Sequence, residues 1–338
     1  MDQKIFYPSS RATIMHHYSP RLIAVEHPAA INGNMKNTLL LVGGLGDGIH
    51  TIPYVSPLID AVTGAGWSLV EVLLSSSYNG WGIGSIAQFA PKCGMGWEGD
   101  GGGSNKSRDA VEISACVEYF RTIRGGKLVL MGHSTGCQDA LEYLTKHSAI
   151  INGVIFQASG GYLPFPSPDP ITDLATVSDR ESATLGQSPD RLSASLTHAR
   201  SLIDSARGAE IIPSHFRSPT YTDTPVCAQR WWDLNAFAGA DDYFSSDLNE
   251  EMLTRTFGMI MRNTNVLFLF SAMDQLVPAW VDKEYLLKRW YLACALGGAV
   301  VDKVESGVIN GANHNFEGVD AGVLADMIGR VIRFLGKI

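Results

Sequence analysis

Spread over 338 residues, a composition of 45% hydrophobic and 18% charged side chains is enough to bury a large core and to fold unaided. Thirty-four acidic against 26 basic residues leave a net charge of −8, which offers no electrostatic footprint for nucleic acid or an anionic membrane and points to small or neutral partners. The five cysteines, Cys93, Cys116, Cys137, Cys227 and Cys294, are scattered and form no C-x-x-C, so neither a disulfide framework nor a zinc site is expected. The opening residues, Met1-Asp2-Gln3-Lys4-Ile5-Phe6-Tyr7-Pro8, lack the apolar core of a signal peptide. The longest apolar stretch, 290–301, falls short of the roughly 20 residues that span a bilayer. Together these features predict a soluble, cytoplasmic protein of undetermined oligomeric state.

Taken in chain order, the N-terminal segment, including Leu22-Ile23-Ala24-Val25-Glu26, is expected to supply edge strands that pair antiparallel. Buried strands are predicted over 39–42, 68–74, 127–131, 153–157, 265–270 and 300–304, with helical patterns between most of them. That alternation predicts an α/β fold, a mostly parallel sheet flanked by helices. After Gln157 the run Gly160-Gly161-Tyr162-Leu163-Pro164-Phe165-Pro166 opens an insertion that lasts until the helix before Asn265. Roughly a hundred residues is too long for a simple connection, so a mainly helical cap over 160–262 is expected, between core segments 1–159 and 263–338. A second irregular stretch, 93–107, is glycine-rich and leaves the strand that ends near Leu74, which suits a surface loop or a lid.

The chemistry centres on Gly132-His133-Ser134-Thr135-Gly136, which follows the apolar run Leu128-Val129-Leu130-Met131 and precedes a helical pattern. Strand, sharp turn and helix with a serine at the apex is the arrangement that exposes a nucleophile, and flanking glycines let strand and helix close around it. A serine needs a base and a group to orient that base. Asp274 follows the apolar Val266-Leu267-Phe268-Leu269-Phe270, with Pro278 placed to open the next helix. His314 lies in Asn310-Gly311-Ala312-Asn313-His314-Asn315-Phe316, before the last helix. Ser134, Asp274 and His314 occur in the order serine, acid, histidine, which excludes the orders of the other two large serine-hydrolase architectures. Oxyanion donors are assigned to the N–H groups of Thr135 and of Leu45, the latter in Gly43-Gly44-Leu45-Gly46-Asp47-Gly48. A phosphate cradle is the alternative use of such glycines, but Ile49 stands where a third fingerprint glycine would be.

Four segments carry a closer likeness: Gly43-Gly44-Leu45-Gly46-Asp47-Gly48, Ser75-Ser76-Ser77-Tyr78-Asn79-Gly80-Trp81-Gly82, Gly132-His133-Ser134-Thr135-Gly136-Cys137-Gln138-Asp139 and Asp241-Asp242-Tyr243-Phe244-Ser245-Ser246-Asp247-Leu248. On these the chain resembles the α/β-hydrolase superfamily and, within it, the siderophore-ester hydrolases known chiefly from fungi. The resemblance implies hydrolysis of ester bonds in hydroxamate siderophores such as fusarinine C, by a Ser–Asp–His triad with no cofactor. The glycine-rich stretch between Gln88 and Ser107 departs from that pattern.

Asp47, Tyr78 and Trp81 follow strand ends on the active-site face and are expected to contact substrate. His133, at the variable position of the turn, is expected to pack rather than to act as base. His16, His17, His27, His147, His198 and His215 show no ligand spacing, so no metal is expected. Trp231-Trp232 is expected in the cap core, and Asp241-Asp242 at a helix cap or turn. The resulting expectation is a serine esterase acting on a small-molecule ester. Amide or thioester hydrolysis, acyl transfer, and a non-catalytic binding protein on the same fold are the alternatives.

Overall fold

The computed structural model describes residues 13–29, 36–44, 46–77, 108–147, 151–159, 189–216, 227–277 and 280–338. Among the described residues, nine strands form a single sheet: β1 (Ile14–Ser19), β2 (Leu22–His27), β3 (Thr38–Val42), β4 (Ser68–Val72), β5 (Leu128–His133), β6 (Gly153–Gln157), β7 (Asn265–Ser271), β8 (Val300–Val301) and β9 (Gly307–Ile309). Their spatial order is β1-β2-β4-β3-β5-β6-β7-β8, with β9 also pairing with β7. Pairing is antiparallel between β1 and β2 and between β2 and β4, and parallel at every other pair. The N-terminal strands therefore sit at the antiparallel edge, as the sequence suggests.

Strands β3, β4 and β6 are buried at every position. Helices cover both faces, which is why β3 reads as a near-continuous apolar run, while β4 also buries Ser68 and Glu71. Period-two alternation sorts their side chains into two layers. Leu40, Val42, Leu130, Val154, Phe156, Phe268 and Phe270 point toward α2 (Arg108–Arg124), α3 (Thr135–Lys146) and α7 (Lys283–Gly297). Leu39, Leu41, Val129, Met131, Ile155, Leu267 and Leu269 point toward α1 (Val55–Gly64) and α8 (Ala321–Leu335). Each such side chain contributes about 1.5–3 kcal/mol on burial. Trp290 of α7, fully buried, stacks on Phe257 and on Phe270 at ring separations of 5.7 and 5.8 Å.

Between β6 and β7 the described chain packs in two places. Helices α4 (Pro189–Asp204) and α5 (Ala228–Asn235) enclose their own small core of Ala199, Leu202, Ile212, Ala228 and Trp231. Farther on, α6 (Glu250–Thr256) and its neighbours return Tyr243, Phe244, Leu248, Leu253, Phe257 and Ile260 to the main core. Among the described residues no helix is long and apolar enough to cross a membrane.

Two local expectations change. The helix after Asp274 begins at Lys283, where the Asp282 carboxylate caps the Tyr285 N–H, and Pro278 lies outside the described residues. Strand β8 holds two residues: the Asp302 N–H makes a last ladder bond to Val266 O, and its carboxylate then accepts the N–H groups of Val304 and Glu305, which turns the chain away. An Asx turn of this kind competes with a strand ladder.

Candidate active site

Strand β5 runs directly into α3 through Ser134, whose backbone sits at φ 53° and ψ −123°. A serine holds a positive φ only where its surroundings enforce it. Here glycines supply the enforcement. A Cβ on Gly132 would lie 2.4 Å from Gly136 O, and one on Gly136 would lie 2.4 Å from Val42 O. Any side chain at either position would drive β5, α3 and the end of β3 apart. The turn is pinned further by the Ser134 N–H, which donates to Gln157 O at 3.0 Å, and by the Cys137 N–H, which donates to Ser134 O at 2.9 Å. Thr135 is the first residue of α3, so its N–H has no acceptor within the helix.

The turn after β3 lies against this apex, since a Cβ on Gly44 would stand 2.8 Å from the Ser134 Cβ. Asp47 holds the turn. Its carboxylate accepts the Gly44 N–H at 2.7 Å through Oδ2 and the Thr51 hydroxyl at 3.0 Å through Oδ1. Expected to touch substrate, Asp47 thus has both oxygens engaged within the turn. Leu45, Tyr78 and Trp81, expected as oxyanion donor and substrate contacts, lie outside the described residues.

Asp274 and His314 come from the loops after β7 and β9. The Ala272 N–H donates to Ile309 O at 3.0 Å and the Met273 N–H to Ala312 O at 2.8 Å, which zips the two loops together. His314 Nδ1 then lies 2.9 Å from Asp274 Oδ2 and 3.1 Å from Oδ1, both groups being buried. A carboxylate only accepts, so Nδ1 carries the proton and Nε2 is left with its lone pair. Asp274 is fixed in turn by the Leu276 N–H at 2.9 Å on Oδ1, and His314 by its own N–H on Gln275 Oε1 at 3.2 Å. Lys283 donates to Ala272 O at 2.7 Å beside this loop; burial lowers its pKa, against the pull of the Asp274 charge.

Behind the pair lies a buried polar group that sequence reasoning missed. Gln157 Oε1 accepts from the Tyr54 hydroxyl at 2.9 Å and from His133 Nδ1 at 2.5 Å, while its Nε2 donates to His314 O at 3.3 Å. His133 packs as expected, edge-on to Tyr54 at 5.6 Å. Its pKa is pushed down to about 4 by burial and by His314 beside it.

The remaining candidates resolve simply. Trp231 is buried and donates from Nε1 to Ser195 Oγ at 2.9 Å. Asp241 forms a buried ion pair with Arg230, and Asp242 closes a turn by accepting the Ala238 N–H at 3.1 Å. Cys116, Cys137, Cys227 and Cys294 are buried and none is in a disulfide. Of the histidines without ligand spacing in the sequence, His27 lies in a cluster with His50 and Glu71. Partners far apart in sequence are brought together across β2, β4 and the turn after β3, where His27, His50 and Glu71 hold ligand atoms within 4.8 Å of one another.

Comparison with known proteins supplies the wider context. Residues 6–92 and 89–336 match the model of a family described as protein of unknown function (DUF1749). Fusarinine C esterase sidJ of Aspergillus fumigatus is 33% identical over 334 residues, covering 89% of this chain and 88% of its own. Esterase AN6793 of Emericella nidulans is 31% identical over 354 residues, covering 90% and 87% respectively. Among solved structures, siderophore hydrolase EstB from Aspergillus fumigatus superposes with a TM-score of 0.71 at 31% identity, over 98% of this chain and 99% of that one. An α/β-hydrolase fold protein of unknown function, 17% identical with a TM-score of 0.57, shares the fold over 98% of this chain and 97% of its own.

Proposed function

The chain belongs to the family described as protein of unknown function (DUF1749), and from that premise we propose that Ser134, His314 and Asp274 act together to cleave the ester bonds of a hydroxamate siderophore. The chain is an ester-cleaving hydrolase of the α/β-hydrolase fold. The observation that carries the triad reading is the bond from His314 Nδ1 to the Asp274 carboxylate. It leaves Nε2 basic in the same cluster as the strained turn that presents Ser134.

In this reading His314 Nε2 takes the Ser134 hydroxyl proton as Oγ attacks the ester carbonyl. Asp274 keeps the ring in the required tautomer and stabilises the imidazolium that forms. The Thr135 N–H, with that of Leu45, receives the charge developing on the carbonyl oxygen. Collapse of the tetrahedral intermediate passes the His314 proton to the departing alcohol and leaves an acyl group on Ser134. Water, deprotonated by the same imidazole, then releases the acid and restores the serine. Asp47 shapes the turn bearing Leu45 rather than binding substrate. The unit built on α4 and α5 serves as the cap over the ester, and the siderophore identity rests on the names of the relatives.

The test is covalent labelling with a fluorophosphonate, followed by hydrolysis of ferric and iron-free hydroxamate siderophores beside simple activated esters. Ser134→Ala and His314→Ala should each lower kcat by about 10⁴-fold or more with the fold intact. Labelling that persists in Ser134→Ala would overturn the nucleophile. Turnover of activated esters with no turnover of either siderophore form would overturn the substrate.

A further inference from the structure

Outside the triad, one group of side chains has the composition and spacing of a metal site. His27 ends β2, and Glu71 lies in the antiparallel neighbour β4, where His27 pairs with Leu69. Residues two apart on a strand share a face, so His27 and Glu71 are diagonal neighbours on one side of the sheet. His50 reaches the same point from the turn after β3, with its backbone at φ 57°. Glu71 Oε1 lies 2.9 Å from His27 Nε2 and 3.6 Å from His50 Nε2, and the two rings meet edge-on at 5.2 Å. The other carboxylate oxygen, Oε2, accepts the His50 N–H at 2.8 Å, which fixes Oε1 toward the two imidazoles.

We propose that His27, His50 and Glu71 bind one divalent transition cation of the zinc class, with the fourth coordination position open to solvent. Tetrahedral zinc holds its nitrogen and oxygen ligands at about 2.0–2.2 Å, which places neighbouring donor atoms about 3.4 Å apart. The separations of 2.9 and 3.6 Å straddle that value. A proton satisfies this cluster less well than a cation does. One proton joins His27 to Glu71, whereas His50 Nε2 at 3.6 Å is beyond hydrogen-bond reach of the same oxygen. A cation among the three atoms engages all of them at once. His27 and Glu71 are buried, and the His50 side chain is 34% exposed, so ions enter and water completes the shell from the His50 side. Two imidazoles with one carboxylate suit zinc, cobalt, nickel or copper and disfavour magnesium and calcium, which take all-oxygen shells.

Such an ion fastens β2 and its neighbour β4 to the turn that carries Asp47. The proposed site is therefore a clamp on the fold beside the catalytic turn, and it takes no part in ester cleavage.

The experiment uses the full chain, stripped with chelator and with Ser134 blocked by fluorophosphonate. Zinc is titrated by calorimetry, and cobalt by visible absorption. One equivalent of zinc should bind and raise Tm, and cobalt should give the intense bands of a tetrahedral complex, which zinc displaces. Loss of an outer-shell partner alone costs about 10–100-fold in metal affinity, so His50→Ala, which removes a ligand, should weaken binding at least that much. His50 sits in a partly exposed turn, and circular dichroism checks that the variant folds. Glu71→Gln should weaken binding likewise while keeping the shape of the side chain. No saturable binding by the wild-type chain would overturn the site. Equal binding by wild type, His50→Ala and Glu71→Gln would do the same, by placing the ion on other histidines.

Discussion

The ring of His133 lies 5.1 Å from the ring of His314, tilted by 51°. One is the residue immediately before Ser134 and the other is its proposed base, so two imidazoles share the buried space behind the catalytic turn. They have different partners. His314 Nδ1 is bonded to the Asp274 carboxylate, whereas His133 is bonded to the amide oxygen of Gln157 and is kept neutral by burial. A neutral His133 adds no repulsion when His314 takes up the serine proton.

This difference makes folding stability depend on pH. His133 titrates near 6.5 when exposed and near 4 in the folded chain, so between these values the unfolded chain binds more protons. Its contribution is fully present above about pH 6.5 and is lost as pH falls toward 4 and below. At 1.36 kcal/mol per unit, the loss approaches about 3 kcal/mol. Urea midpoints measured from pH 7.5 down to 4.5 should fall less steeply in His133→Phe, which keeps an aromatic ring against Tyr54, than in the wild type. Parallel curves would show that His133 is not the group responsible.

Gln157 joins this histidine to the other. It binds the Tyr54 hydroxyl, His133 Nδ1 and the His314 carbonyl, all out of water. Gln157→Leu leaves three polar groups without that partner, at about 1–3 kcal/mol for each that water does not reach. The variant should lose roughly 2–4 kcal/mol by urea unfolding, and its kcat should fall about tenfold as the His314 backbone relaxes. Unchanged kcat in a destabilised variant would make Gln157 purely structural.

How much of this was legible follows from which relationships are local. Gly132, Ser134 and Gly136 announce their turn because strand, glycines and helix are contiguous, and the structure shows each glycine at a backbone approach no side chain permits. Asp274 and His314 could be found because each follows a strand and their order is constrained. Gln157 gave no signal, because a glutamine at a strand end looks like a solvated terminus. Its role follows from the register that sets it beside His133 and from loops that arrive much later in the chain. The His27, His50 and Glu71 group was hidden for the same reason. Its members lie on two strands and a turn, and only the antiparallel pairing of β2 with β4 brings the strand members together. Strand β9 escaped notice because its positions are partly exposed and give a weak apolar pattern.

Gly44 separates catalytic geometry from folding. An alanine methyl there would stand 2.8 Å from the Ser134 Cβ and 3.1 Å from Asp47 Oδ2, while the rest of the turn faces partly toward solvent. Gly44→Ala should therefore displace the turn from the serine, lowering kcat/KM and the rate of fluorophosphonate labelling about 10²-fold, with Tm little changed. Undiminished labelling would mean that the turn yields freely and does not position the oxyanion donor.

Asp274→Asn tests the tautomer of His314 directly. In the native chain Asp274 Oδ1 accepts the Leu276 N–H at 2.9 Å, and Oδ2 lies 2.9 Å from His314 Nδ1. Asparagine has one acceptor oxygen, and the Leu276 N–H claims it. Its NH2 group then occupies the Oδ2 position and points a donor at Nδ1. Two donors cannot face each other there, so the imidazole shifts its proton to Nε2 and loses the lone pair that would receive the serine proton. The expected result is a fall in kcat of about 10³–10⁴-fold with KM little changed and the fold intact. The rate of labelling by fluorophosphonate should fall in parallel, because that reaction needs the same base. Retention of wild-type kcat by a folded Asp274→Asn variant would show that another group orients His314, or that another group is the base.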